Sequence, residues 1–231
     1  VGFEFQFRAV FAYQDLLIDG LWLTLQLSAA GILGGAAVGI LLAGARSLVP
    51  RPIGWVIDGY VELIRNTPFL VQLLIIFLGL PSLGIRLSAE QAAVIGLVVN
   101  LSAYVTEIVR AGIQSVHRSQ IEAGLSLALT RLQVFRHIIL APAIARVWPA
   151  LTSQFTLMML ATSVCSFISV QELSAEAANI ESQTFRSFET YIVVAVVYLA
   201  LALLLRGLLA GLGAILFPSG SGLGRLRRAG Q

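Results

Sequence analysis

The sequence predicts an all-α membrane protein with five transmembrane helices. Three observations predict it. Hydrophobic residues make up 58% of the 231 residues and charged residues 12%, and the mean hydropathy is +0.89. Soluble domains carry roughly 25% charged residues, so a soluble fold of this size could not cover so much apolar surface. The charges are also clustered, leaving five uncharged stretches that reach or extend to the ~20 residues a helical span needs. Finally, the arginines are segregated between alternate connections.

The elements follow in order. Residues 3–16 alternate aromatic and polar side chains, and 1–19 form an interfacial N-terminal segment. The first span covers 20–45. The second, 55–80, contains Pro68, which kinks or breaks it. The third covers 89–113. A long connection over about 115–146 follows, and Pro142 and Pro149 mark entry to the fourth span, 144–170. The fifth covers 189–216, with Arg206 at its boundary. A separate sixth span over 207–224 is disfavoured by its glycines and Pro218. The transmembrane domain is thus 20–217, followed by a tail, 218–231, whose Arg225, Arg227 and Arg228 suit anionic lipid.

Five spans put the termini on opposite sides. With the N-terminus outside, the outer segments hold Arg8, Arg86 and Arg186 against eight acids, a net −5, and the inner segments +8. The arginine bias therefore predicts an outer N-terminus and a cytoplasmic C-terminus.

Several chemistries are excluded. All 15 basic residues are arginine, so there is no P-loop lysine and no Schiff base. Cys165 is the single cysteine, His117 and His137 are twenty apart, and no HExxH occurs, so no metal site is expected. The net charge of +3 is too small for a nucleic-acid surface. No catalytic residues are expected.

The inner connection is too apolar for a solvated loop over Gln120–Thr130, and its surface needs a partner. Either it lies on lipid, or it docks in a groove of a cytoplasmic protein. Here the sequence resembles a known family. Glu122-Ala123-Gly124, then Ala128, then Ile138 and Leu140, resemble the EAA loop of ABC-importer membrane subunits. Arg65-Asn66-Thr67-Pro68 with Leu70-Val71-Gln72-Leu73 is similar to the RGTP-x-LVQL stretch of polar-amino-acid permeases. Ala103-Tyr104 through Glu107 and Arg110 resemble their AYxxExxR, and Thr162-Ser163 and Glu172-Leu173 their TSL and EL. The resemblance covers roughly residues 20–215, in order.

The resemblance implies a type I ABC importer fold in the bacterial inner membrane, with a periplasmic N-terminus. It implies a non-catalytic permease subunit that imports a polar amino acid or opine-like solute by alternating access. Cytoplasmic ABC ATPase subunits would bind ATP and Mg, so this chain needs no cofactor of its own. The other implied partners are a second permease subunit, the same or paralogous, and a periplasmic solute-binding protein. The coupling helix would present Ser119, Gln120, Glu122, Ala123, Gly124 and Ala128 to the ATPase. Departures are Ser119, Gly124, Ala128 and Ala141 at loop positions, and Leu160-Ala161 where the family often has Lys-Asp. The last leaves open whether this subunit contacts the solute.

Two acid–base pairs lie three residues apart, Glu62 with Arg65 and Glu107 with Arg110. Such spacing shares a helix face, and ionisable groups in spans are paired or functional. They form an ion-pair cluster or a gate. Gln72, Asn100, Tyr104, Gln154, Thr156, Thr162, Ser163 and Ser166 could face a cavity, and of these Gln72, Asn100, Tyr104, Thr162 and Ser163 are candidates for a solute path. An ion-coupled secondary transporter is the alternative. It would use carboxylates facing a cavity, yet Glu62 and Glu107 each have an arginine nearby, and the apolar loop has no role in it.

Overall fold

The computed structural model describes residues 5–218, all connected by helices and turns with no strand among them. We number the helices α1 (Phe7–Phe11), α2 (Gln14–Leu48), α3 (Arg51–Arg65), α4 (Phe69–Ser82), α5 (Ala89–Gln114), α6 (Arg118–Ser126), α7 (Arg131–Ile168), α8 (Leu173–Thr184) and α9 (Ser187–Leu216). Four of them, α2, α5, α7 and α9, are long and apolar enough to cross a bilayer, and α3 with α4 makes a fifth span bent by 107°.

α2 and α5 form the centre of the bundle. Gly31, Gly35 and Gly39 recur every fourth residue, so they share one stripe of α2. They face Leu97, Leu101 and Val105 in the same order, which makes the two helices parallel. A Cβ on Gly35 would stand 2.7 Å from Leu101 Cβ, and one on Gly39 would stand 2.8 Å from the Ser102 carbonyl oxygen. Only glycine allows this approach, the usual route to tight packing where lipid supplies no hydrophobic drive. Thr106 Oγ1 also lies 3.2 Å from the Gly39 carbonyl. α7 returns beside α5, with Gly112 against Ala143 and Val147. α9 runs antiparallel to α7. There Trp148 Nε1 donates to the Leu209 carbonyl at 2.9 Å, and the indole fills the notch at Gly213. The core is built from Leu73, Leu97, Leu101, Leu151, Phe155 and Met158. Outward-facing Leu33, Leu41, Leu199, Leu203 and Leu208 remain exposed, the surface expected of a lipid-facing bundle.

The second span breaks where Pro68 predicts it. Proline disfavours helical geometry in the residue before it. α3 accordingly ends at Arg65, and Pro68 restarts the chain as the residue capping α4. The carbonyls freed at the end of α3 are satisfied locally. Asn66 Nδ2 donates to the Glu62 carbonyl, Thr67 Oγ1 to that of Leu63, and Gln72 Nε2 to that of Ile64 at 2.7 Å.

Three stretches differ from the sequence expectation. α2 begins at Gln14, inside the segment assigned to the interface. α7 begins at Arg131, thirteen residues before the expected fourth span, because Arg131, Arg136 and Arg146 sit in helical turns that carry charge beyond the apolar run. The connection before it is thus short and mostly helical. α8 fills what was read as an outer loop. Leu173, Ala177 and Ile180, spaced at helical periodicity, bury one of its faces. Residues 1–4 and 219–231, the latter nearly all of the expected tail, lie outside the described residues.

Candidate functional site

Two cavities and one exposed helix bring together most of the residues singled out by sequence. The first cavity, about 320 Å³, lies at the break in the second span. Thr67, Pro68 and Phe69 form one wall, Asn100 and Tyr104 of α5 a second, and Gln154, Leu157 and Ala161 of α7 a third. Asn100 Nδ2 donates to Gln72 Oε1 at 2.9 Å. Gln72 itself is buried and clamps the end of α3, so it supports the cavity wall from behind. Thr162 is fully buried and donates to the Met159 carbonyl. Ser163 lies in a different cavity, of about 540 Å³, between α7, α8 and α9. The predicted solute-path residues therefore divide: Asn100 and Tyr104 line one cavity, Ser163 another, and Gln72 and Thr162 are structural. Thr67 was not among them, while Gln154 was read as able to face a cavity and does so. The turn chemistry of Asn66-Thr67-Pro68 was the available signal for Thr67.

Charged side chains gather beside the first cavity. Arg110 grips Glu107 with two bonds of 2.8 and 3.0 Å, and Arg65 lies 3.9 Å from the same carboxylate. The Arg65 guanidinium also stacks over the Tyr104 ring, 5.6 Å from its centroid. Glu62 makes no ion pair within 4 Å among the described residues; it lies close enough for its charge to act on Arg110 and accepts from Asn66 Nδ2 at 2.8 Å. A second pair was missed by sequence. Arg46 and Asp58, twelve residues apart across the Val49-Pro50 turn, form a two-bond contact of 2.9 and 3.0 Å. A Cβ at Gly54 would overlap that guanidinium, so Gly54 provides its berth.

α6 is the exposed helix. His117 caps it, with Nδ1 accepting from Ser119 N at 3.3 Å. Gly124 is buried against Val134 and Ile138. Ser119, Gln120, Glu122, Ala123 and Ala128 are exposed, as are Leu125 and Leu127. The helix ends on Ala128 in the left-handed conformation at φ 58°, with Leu129 N bonded to the Gly124 carbonyl and Ala128 N to that of Leu125. Glycine is favoured at such a terminus, and a Cβ there costs about 1 kcal/mol. Ala128→Gly is therefore expected to stabilise α6 by roughly 0.5–1 kcal/mol, read as slower amide hydrogen exchange over residues 118–129.

A helical bundle with four or five candidate membrane spans, one of them broken beside a cavity that carries polar side chains, and with one presented helix, is the architecture expected of the membrane component of a solute transporter. The chain belongs to the family of binding-protein-dependent transport system inner membrane components, whose profile matches residues 35–214. It is thus a permease subunit of an inner-membrane importer. Among curated relatives, the probable glutamine ABC transporter permease protein GlnM of Bacillus subtilis is 37% identical, over 82% of this chain and 88% of that protein. The glutamine transport system permease protein GlnP of Escherichia coli is 34% identical, over 89% and 95%. Among solved structures, that of an amino acid ABC transporter with histidines matches with a TM-score of 0.83 at 37% identity, covering 91% of this chain and 99% of that one. An inward-facing MetNI methionine ABC transporter matches with a TM-score of 0.73 at 20% identity, which shows the fold alone.

Proposed function

We propose that the chain forms, with a second permease subunit of the same or a paralogous kind, the translocation path for a polar amino acid. ATP hydrolysis belongs to cytoplasmic ABC ATPase subunits, which bind ATP and Mg and dock on α6. A periplasmic solute-binding protein delivers the solute at the opposite end of the bundle, where the N-terminus lies outside. The observation that carries the cargo reading is the cavity of Thr67, Asn100, Tyr104 and Gln154. Its polar side chains are uncharged, and Arg65 lies behind Tyr104. The hydroxyls and amides suit the neutral polar part of an amino acid, and the guanidinium offers a counter-charge to its carboxylate. Relatives named for glutamine transport point the same way. Leu160 and Ala161 leave that wall without a charged pair, which favours a neutral side chain over a basic one.

α6 suits the coupling role because its apolar and polar side chains are displayed rather than packed. Leu127 at 76% exposure needs a covering surface. An ATPase groove would provide one, and its movement would reach α7 through Gly124, Val134 and Ile138. Ion coupling is not favoured, since Glu62 and Glu107 are held by Asn66, Arg110 and Arg65.

The test is reconstitution of the chain with its co-purifying ATPase and binding protein in liposomes. Uptake of glutamine or a similar neutral amino acid that requires ATP is expected. Uptake by this chain alone under an ion gradient would overturn the reading.

A further inference from the structure

The larger cavity, about 540 Å³, is not explained by the site at the broken span. One wall is the last part of α7, which tightens to a 3₁₀ helix over Thr162–Ile168. In that helix, side chains three residues apart eclipse one another. Ser163 and Ser166 consequently stack in one row, and Ser169 follows at the same spacing in the left-handed conformation that ends the segment. All three line the cavity. The opposite wall is Ser174 and Asn179 of α8, with Tyr191 of α9.

Most donors of this lining are already used. Ser163 Oγ donates to the Leu160 carbonyl at 2.8 Å, and Ser166 Oγ to that of Ser163 at 2.8 Å. Tyr191 OH donates to Glu181 Oε2 at 2.8 Å. Asn179 Nδ2 donates to Gln171 Oε1 and to Glu176 Oε2, at 3.0 and 3.1 Å. The single hydroxyl proton of Tyr198 goes to Glu172 at 2.6 Å, so Ser174 Oγ must donate to Tyr198. What remains open to the cavity is mostly oxygen lone pairs, beside the Ser169 hydroxyl and one Gln171 N–H, with the carboxylates of Glu176 and Glu181 immediately behind. An acceptor-rich surface of this kind recognises a ligand that brings N–H donors and positive charge.

We propose that this cavity is a second solute-binding site, selective for the ammonium- or guanidinium-bearing end of the solute. It stands apart from the cavity at Asn100 and Tyr104. The transport reading enters only in identifying the ligand as a solute on its way through.

The test uses the chain assembled with its ATPase in nanodiscs, with Cys165→Ala to remove the buried thiol and Ser166→Cys as the reporter. Aminoethyl methanethiosulfonate is a cationic probe and sulfonatoethyl methanethiosulfonate an anionic one. Their rate ratio at Ser166→Cys is expected to exceed that at Ser82→Cys, an exposed reference, by about tenfold. L-arginine is expected to slow the cationic probe at Ser166→Cys and leave Ser82→Cys unaffected. A ratio equal to the reference, or no protection by arginine, overturns the proposal. Asn179→Cys on the opposite wall provides the same readout if Ser166→Cys fails to assemble. Should the unsubstituted complex import no amino acid while the charge selectivity and protection stand, the transport reading falls and the cation site remains.

Discussion

Glu122→Arg is expected to abolish ATP-driven uptake while the chain still inserts and folds. Glu122 is exposed on α6, and among the described residues its carboxylate has no hydrogen-bond or ion-pair partner, while its carbonyl accepts from Ser126 Oγ at 2.9 Å. The side chain contributes little to the fold, and a surface substitution of this kind changes stability by about 0.5 kcal/mol or less. Repulsion from Arg118, one turn earlier on the same helix, adds a few tenths of a kcal/mol. Reversing a charge inside a docked interface is a different matter. An unpaired charge buried against a partner costs about 2–5 kcal/mol, so affinity for the ATPase should fall by roughly 30-fold or more. The measurement is co-purification of the ATPase with the tagged chain, together with uptake in proteoliposomes. Normal uptake by the variant would remove α6 from the coupling path.

The second large effect is expected at Glu172, where the fold rather than the coupling should fail. This carboxylate is fully buried between α2, α8 and α9. Its Oε1 accepts from Ser174 N and Ala175 N at 2.9 and 3.0 Å, capping the first turn of α8. Its Oε2 accepts from Tyr198 OH at 2.6 Å, with Thr24 Oγ1 at 3.5 Å. Thr24 Oγ1 in turn accepts from Leu173 N at 3.1 Å. Glu172→Ala takes the acceptor from two part-buried N–H groups and leaves the Tyr198 hydroxyl only Ser174, at a cost of about 3 kcal/mol. For a chain of this size the thermal midpoint of the assembled complex should fall by roughly 10 °C. Glu172→Gln keeps an acceptor for the two N–H groups and should cost about 1 kcal/mol.

The same residue gives a pH dependence of known sign. Burial pushes the Glu172 carboxyl above the ordinary carboxylate range, partly offset by hydrogen bonds from Tyr198, Ser174 and Ala175. Between the unfolded value and the raised folded one, the folded chain therefore binds more protons than the unfolded chain. The stability this contributes is complete below the ordinary value of about 4.3 and is lost as pH rises through the raised one. Melting of the wild-type complex should show this decline, and Glu172→Gln should flatten it. Glu181 behaves oppositely, held below the usual range by hydrogen bonds from Ser187 and Tyr191, and its contribution is lost as pH falls.

Local chemistry made part of this legible in advance. The break at Pro68 is written in Asn66-Thr67-Pro68, because proline constrains the residue before it whatever surrounds them. The third span matched its expected limits to within a residue, its start fixed locally by the Ser88–Gln91 capping box. The exposed loop helix was legible as apolar sequence in a position that should be wet. α8 was not read, although Leu173, Ala177 and Ile180 carry helical spacing, because its polar faces resembled a loop.

Charge was the least legible property. Glu172, Glu176 and Glu189 count as outer acids in the sequence, yet the fold buries all three. Glu189 accepts from the Gln6 backbone N–H at 3.0 Å, 183 residues away. Arg46 found Asp58, and Glu62 found Asn66 rather than an arginine. The sequence by itself determined the membrane class, the five apolar stretches, the broken second span and the exposed apolar segment of the inner connection, because hydrophobic length and proline act within a few residues. The tertiary structure alone decided which polar side chains share a cavity and which are spent on capping and clamping. Those choices depend on how α2, α5, α7 and α9 approach one another, and a hydrogen bond between residues 28 or 149 positions apart leaves no pattern along the chain.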